Sequence, residues 1–168
     1  MDRKFLTVMA VLDDATQKLL CDLQNSITAN VGEGTQTMGI PFHITLGSYS
    51  TDCESALVDK ICHIASNTLK FDIQLTGYNH FADKVFYVET QIPTELLSLR
   101  KRFENDYAHS FEWKPHVTLY CGDEGQVKSA MQVAPKLDFP IDTRIVGIEL
   151  GEFFPMRKIV RVDFKNKD

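Results

Sequence analysis

The sequence predicts a mixed strand-and-helix fold built from two related lobes, and three observations predict it. A short phrase occurs twice, as Pro41-Phe42-His43-Ile44-Thr45-Leu46 and as Lys114-Pro115-His116-Val117-Thr118-Leu119, with the two histidines 73 positions apart. A second pair of stretches repeats at an offset of 74: Gly77 and the run from Lys84 to Glu89 match Gly151 and the run from Lys158 to Asp163, each a glycine bend, a basic residue and a β-rich strand ending in an acid. The elements around the phrases also come in the same order each time: strand, helix, His-x-Thr strand, helix, hairpin. Self-similarity at one period carries more weight than any single short motif, and duplication would place the two phrases across a pseudo-twofold axis.

The elements follow from patterning. Residues 4–12 (KFLTVMAVL) are apolar and β-branched, a buried strand. Asp13 or Asp14 can cap a helix to about Ser26, with Leu19, Leu20, Leu23 and Ile27 at helical spacing. Residues 30–39 (NVGEGTQTMG) hold three glycines and no period, which predicts a connecting loop with the option of serving as a lid. The first His-x-Thr strand then spans 42–49. A helix over 54–67 buries Ala56 or Leu57, Ile61, Ile64 and Ala65. Residues 71–75 (FDIQL) alternate as a half-exposed strand, the chain bends over 77–84, and a strand covers 85–90. Pro93 starts a helix to about Tyr107, with Leu96, Leu97 or Leu99, and Phe103 inward. The second His-x-Thr strand spans 115–121 and a short helix 125–133. Strands over 144–150 and 158–164 close the chain as a hairpin around 151–157.

Composition narrows the function classes. The chain has 168 residues, enough for a substantial core, with ordinary hydrophobic and charged fractions. A net charge of -5 argues against a protein that coats extended DNA, though a local positive pocket for a small anion fits it. Four cysteines (Cys21, Cys53, Cys62, Cys121) show no metal or CxxC spacing and are read as small hydrophobes in a reducing, cytoplasmic compartment. No run of about 18 apolar residues predicts a membrane span.

The repeated phrase carries the chemistry. Side chains alternate along a strand, so the histidine and threonine of each copy share a face, roughly 7 Å apart, while Ile44, Leu46, Val117 and Leu119 face the core. Imidazole titrates near neutrality, so two across a cleft can divide labour, one accepting a proton and the other donating one. Neutral threonine hydroxyls beside them can hydrogen-bond phosphate oxygens. The motifs lack a third ligand at any zinc spacing, no His-Glu-x-x-His or Gly-x-Ser-x-Gly occurs, and neither a metal nor another cofactor is expected. Extrapolated parity puts Tyr120 with His116, and Tyr49 with His43, as candidates to stack a base. Lys84, Lys114, Arg157 and Lys158 are candidate phosphate contacts. His63, His80 and His109 lie outside the motifs and are given no role.

The paired His-x-Thr-Leu motifs, at this spacing in a chain of this length, resemble the 2H phosphoesterase superfamily, which includes the RNA 2′-5′ ligase-like proteins and cyclic nucleotide phosphodiesterases. The resemblance covers essentially the whole chain, residues 1–168, as one domain of two pseudo-symmetric lobes. It implies a bilobal α+β fold, two antiparallel sheets around a central cleft with helices outside, and a metal-free reaction on 2′,3′-cyclic or 2′-5′ phosphodiesters of nucleotides or RNA ends. It implies His43 and His116 as the acid-base pair and Thr45 and Thr118 as phosphate-holding hydroxyls. Which histidine is acid and which is base stays open, as do ligation of RNA ends and a binding module without turnover. A monomer with a nucleotide or RNA-end substrate and no membrane partner is expected.

Overall fold

In the computed structural model, which describes residues 3–108 and 112–167, the opening apolar run forms β1 (Phe5–Leu12), buried at every residue from Leu6 to Leu12. Burial on both faces is what a continuous apolar strand requires. Asp13 caps α1 (Asp14–Val31) by accepting from the Thr16 amide at 2.9 Å, and Leu20, Leu23 and Ile27 form its inner stripe. The chain continues through β2 (His43–Ser50), a 3-10 turn, α2 (Glu54–Ser66), β3 (Phe71–Phe81), β4 (Val85–Thr90) and α3 (Thr94–Arg102). β5 (His116–Cys121), α4 (Glu124–Val133), β6 (Ile141–Phe153) and β7 (Arg157–Asp163) complete it. An Asp123–Gln126 capping box starts α4.

The fold is α+β, with one antiparallel sheet of seven strands in the order β2-β1-β6-β3-β4-β5 and β7 also on β6. The two expected sheets are therefore continuous. The reason is β6, whose 13 residues exceed either half: its first residues pair with β3, and the remainder pairs with β1 on one edge and β7 on the other. If β1-α1-β2-α2-β3 and β4-α3-β5-α4-β6 are taken as corresponding halves, the strand order is a palindrome of corresponding strands. The sheet curls so that β2 and β5, at its opposite ends, approach to within 8 Å between α-carbons.

Several boundaries differ from the sequence reading. β3 runs straight through Gly77, and the reversal falls at Ala82 and Asp83, whose φ values are 43° and 54°. β6 likewise runs through Gly151, where a Cβ would stand 3.2 Å from Met9 Cε, so close packing rather than a bend selects glycine there. α1 extends past Ser26 to Val31, while α3 ends at Arg102 because the following residues turn to pair with β2. The cysteines are not core residues: Cys21 and Cys62 are exposed, and Cys53 and Cys121 half-buried. His109 lies outside the described residues. Among those described, no helix is long and apolar enough to cross a membrane.

Candidate active site

Each His-x-Thr strand begins at its histidine and alternates inward and outward as far as its leucine. Ile44, Leu46, Val117 and Leu119 are fully buried, while His43, Thr45, His116 and Thr118 are half-buried on the other face. A single cavity of about 910 Å³ is lined by His43 and Thr45 from β2, Thr118 and Cys121 from β5, and Thr7, Glu149, Lys158 and Arg161 from β1, β6 and β7. His116 is outside that lining, two residues from Thr118 on the same face of β5. The cavity is in the size range of small-ligand pockets. Among the described residues no side-chain hydrogen bond occupies the hydroxyl of Thr45 or of Thr118.

Both imidazoles are oriented in the same way. His43 Nδ1 lies 2.8 Å from the Pro41 carbonyl, and His116 Nδ1 lies 2.7 Å from the Lys114 carbonyl. A carbonyl only accepts, so Nδ1–H is the donor in each case, and Nε2 is the nitrogen left to exchange a proton in the neutral ring. The carbonyl two residues back thus fixes the tautomer. Gln17 braces the approach to His43, accepting from the Phe42 amide and donating to the Phe42 carbonyl, both at 2.7 Å.

Their surroundings differ. Burial in the cavity wall pulls the His43 pKa from 6.5 down to about 4, against the Pro41 carbonyl, which favours the charged ring, and with a smaller contribution from the charge of His116. His43 is neutral at pH 7, and the two rings are near enough to sense each other. His116 instead packs edge-on to Phe81, ring centroids 4.9 Å apart, and against Tyr87 at 5.0 Å.

The flanking candidates are redistributed by β-bulges. Opposite β1, the register passes from Thr45 to Gly47 between consecutive partners, so Leu46 is an extra residue; opposite β4, Leu119 is extra in the same way. Each bulge inverts the parity that follows. Tyr120 is consequently fully buried, donating from its hydroxyl to the Gly32 carbonyl at 3.0 Å, and does not stack in the cavity. Cys121 takes the cavity face instead, with its thiol pKa raised by burial. Tyr49 is turned to pack against the core for the same reason. Lys84 sits on the exposed β3–β4 turn, away from the cavity lining. Arg157 is held in ion pairs with Glu54 at 2.7 Å and Glu152 at 3.3 Å, and it too lies outside the lining. Lys114 pairs with Glu89 at 3.4 Å. Of the candidate cations only Lys158 lines the cavity, above the nearly buried Glu149 at 3.6 Å.

Two arginines escaped the sequence reading, and the loop read as a connection with the option of serving as a lid leads into a wall of the cavity. Arg161 lines the cavity because a further bulge, at Ile159, puts residues three apart on one face. The segment from Thr35 to Phe42 forms a wall, tied across the cleft by the Thr35 amide to the Cys121 carbonyl at 2.8 Å and by the Cys121 amide to Gln36 Oε1 at 3.0 Å. Arg100 is buried beneath β2, at 5% exposure; its place in the i, i+3, i+4, i+7 stripe with Leu96, Leu99 and Phe103 was the available signal. The lining carries three cationic side chains, Lys18, Lys158 and Arg161, and one acid, Glu149, and each cation has an acidic partner: Asp22, Glu149 and Asp163 respectively. No group of three or more His, Cys, Asp or Glu side chains that could hold a metal occurs among the described residues.

An α+β sheet curled until two His-x-Thr strands meet at one cavity is the architecture of the 2H phosphoesterases. Residues 39–152 match the family model of the 2′-5′ RNA ligase superfamily, and the chain belongs to that superfamily. Its members are phosphoesterases and ligase-like enzymes. Solved structures agree at the level of fold. TT0787 of Thermus thermophilus superposes with a TM-score of 0.65 at 14% identity, covering 98% of this chain and 100% of that one. LigT of E. coli complexed with phosphate gives 0.62 at 15% identity over 98% and 99%. Usb1 of Kluyveromyces marxianus with uridine monophosphate gives 0.52 at 12% identity over 96% and 99%. No curated protein matches the chain.

Proposed function

We propose that this protein is a phosphoesterase that opens 2′,3′-cyclic phosphates, or cleaves 2′-5′ phosphodiesters, in nucleotides or RNA ends, with His43 and His116 as the acid-base pair. The observation that carries the reading is the matched pair: two histidines with the same tautomer, each beside an unoccupied threonine hydroxyl, on strands that meet at one cavity. His43, neutral at pH 7, is the base. Its Nε2 accepts a proton from water as the water oxygen bonds to phosphorus. His116, in its protonated form, delivers a proton to the ribose oxygen as the bond from phosphorus to that oxygen breaks. The Thr45 and Thr118 hydroxyls donate to the non-bridging oxygens, and Lys158 and Arg161, on leaving Glu149 and Asp163, can turn to an anionic ligand. Lys18 stands in the same wall, already paired with Asp22.

Supporting this direction of proton flow, a base must be deprotonated at working pH, which a value of about 4 ensures for His43. The test is hydrolysis of 2′,3′-cyclic AMP in EDTA. The wild type turns over, and His43→Ala and His116→Ala each abolish turnover. Activity that survives both changes refutes the assignment. Ligation, the same phosphodiester chemistry in reverse, is separated by assaying for joined RNA ends. We further propose that the chain acts as a cytoplasmic monomer of two duplicated lobes.

A further inference from the structure

β2 is an edge strand, and an edge strand presents unpaired carbonyls and amides that must be covered. The cover comes from the opposite half of the chain. Ser48 exchanges backbone hydrogen bonds with Asn105 and Tyr107, at 2.9 Å and 3.3 Å, and its hydroxyl accepts from the Ala108 amide at 2.9 Å. Arg100 Nη1 donates to the Leu46 carbonyl at 2.7 Å, at the bulge residue itself. Trp113 Nε1 donates to the Thr45 carbonyl at 2.8 Å. The indole also lies against the Arg100 guanidinium, 5.3 Å from the ring centroid, and Arg100 is paired with Asp106 at 3.2 Å.

The Trp113 bond differs from the rest of the cover in where it leads. Trp113 stands three residues ahead of His116, and the residue between it and Pro115 is Lys114, whose carbonyl orients the His116 ring. Three residues of fully extended chain reach at most about 10–11 Å. One short stretch therefore carries both the hydrogen bond to the main chain of the first motif and the one that orients the histidine of the second.

We propose that Trp113 is a positioning residue for the phosphoesterase reaction, a strut from the second motif to the Thr45 carbonyl, seated on Arg100, that sets the separation and facing of the two histidines. The inference rests on the reading above, but it makes a structural claim that can be tested without turnover. Trp113 is the only tryptophan in the chain, so replacement of tryptophan by benzothienylalanine during expression changes this position alone, putting sulfur where the N–H was while keeping ring shape.

The experiment compares the wild type, the benzothienylalanine protein and Trp113→Phe in two ways. The first is histidine titration by NMR, and the second is steady-state hydrolysis of 2′,3′-cyclic AMP in EDTA. Loss of the strut loosens β2 and hydrates the cavity wall, so the His43 midpoint is expected to rise from about 4 toward 6.5. In kinetics kcat is expected to fall tenfold or more while KM stays within about threefold, because misplacement of acid and base acts on the chemical step. If Trp113→Phe fails to fold, the isosteric replacement answers alone. An unmoved His43 midpoint with kcat unchanged overturns the proposal and leaves Trp113 as an edge cap. If the wild type turns over neither 2′,3′-cyclic AMP nor a 2′-5′ linked dinucleotide, the phosphoesterase reading fails while the titration still decides the strut.

Discussion

The two His-x-Thr strands share a sequence phrase, a tautomer-fixing carbonyl two residues back and a bulge at the same leucine, yet they stand in different surroundings. β2 is an edge strand braced by side chains from elsewhere in the chain: Gln17 ahead of His43, Trp113 and Arg100 along its outer edge. β5, the strand at the opposite edge of the sheet, is braced too, by Gln24 donating to the Leu119 carbonyl and by Thr35 and Gln36 on Cys121, but it faces an aromatic nest of Phe81 and Tyr87 on the His116 side. The first imidazole is desolvated among few compensating partners and loses affinity for its proton. A repeated motif thus supplies two chemically identical groups, and neighbours outside the motif give them the different surroundings on which the proposed division into base and acid rests.

The largest effects break the pair outright. His43→Ala and His116→Ala are each expected to lower kcat by about 10³-fold or more, with the double variant little worse than either single one, since acid and base act in one transition state. Next come the hydroxyls. Thr45→Val and Thr118→Val, which keep shape and remove the donor, are expected to lower kcat by about 10²-fold each; an effect at only one of them would show that the phosphate sits off the axis between the motifs.

The difference between the histidines is sharpened by pH. Below 6.5 the unfolded chain takes up a proton that folded His43 does not take until about pH 4. The unfolded state therefore binds more protons across that window, and stability falls as pH drops through it, by up to about 3 kcal/mol. Denaturant unfolding at pH 7, 5.5 and 4.5 is expected to show this loss in the wild type and a flatter profile in His43→Gln.

Two smaller effects test the bulges. At Gly47, the residue after the first bulge, a Cβ would collide with the Phe103 carbonyl oxygen, so Gly47→Ala must push strand and helix end apart. A cost of about 1–3 kcal/mol is expected by thermal unfolding. Tyr120 follows the second bulge and is fully buried, so Tyr120→Phe loses one hydrogen bond, about 1 kcal/mol, with kcat unchanged. A large kcat loss there would return Tyr120 to the cavity.

These bulges also mark where the sequence stopped being legible. Period-two alternation placed the side chains from His43 to Leu46 and from His116 to Leu119 on the observed faces, because nothing interrupts either strand within those spans. Beyond each leucine the same rule put Tyr49 and Tyr120 on the wrong face. The inserted residue is selected by tertiary contacts, such as the close approach of Gly47 to Phe103, that no local pattern encodes. Charged residues were harder still. Arg157 and Lys158 are adjacent in sequence, yet one is committed to Glu54 and Glu152 and the other lines the cavity, a distinction made by partners more than a hundred positions away in the case of Glu54. The long β6 that fuses both halves into one sheet was half visible, since residues 144–150 read as a strand and the three residues at either end did not.

The division of labour between two like histidines is tested most directly by the pH dependence of kcat/KM for 2′,3′-cyclic AMP, measured in EDTA from pH 3.5 to 9. With His43 as the base, the acid limb falls near pH 4, at the depressed value of the half-buried imidazole. An acid limb near pH 6.5, the value of an ordinary solvated histidine, would contradict the account.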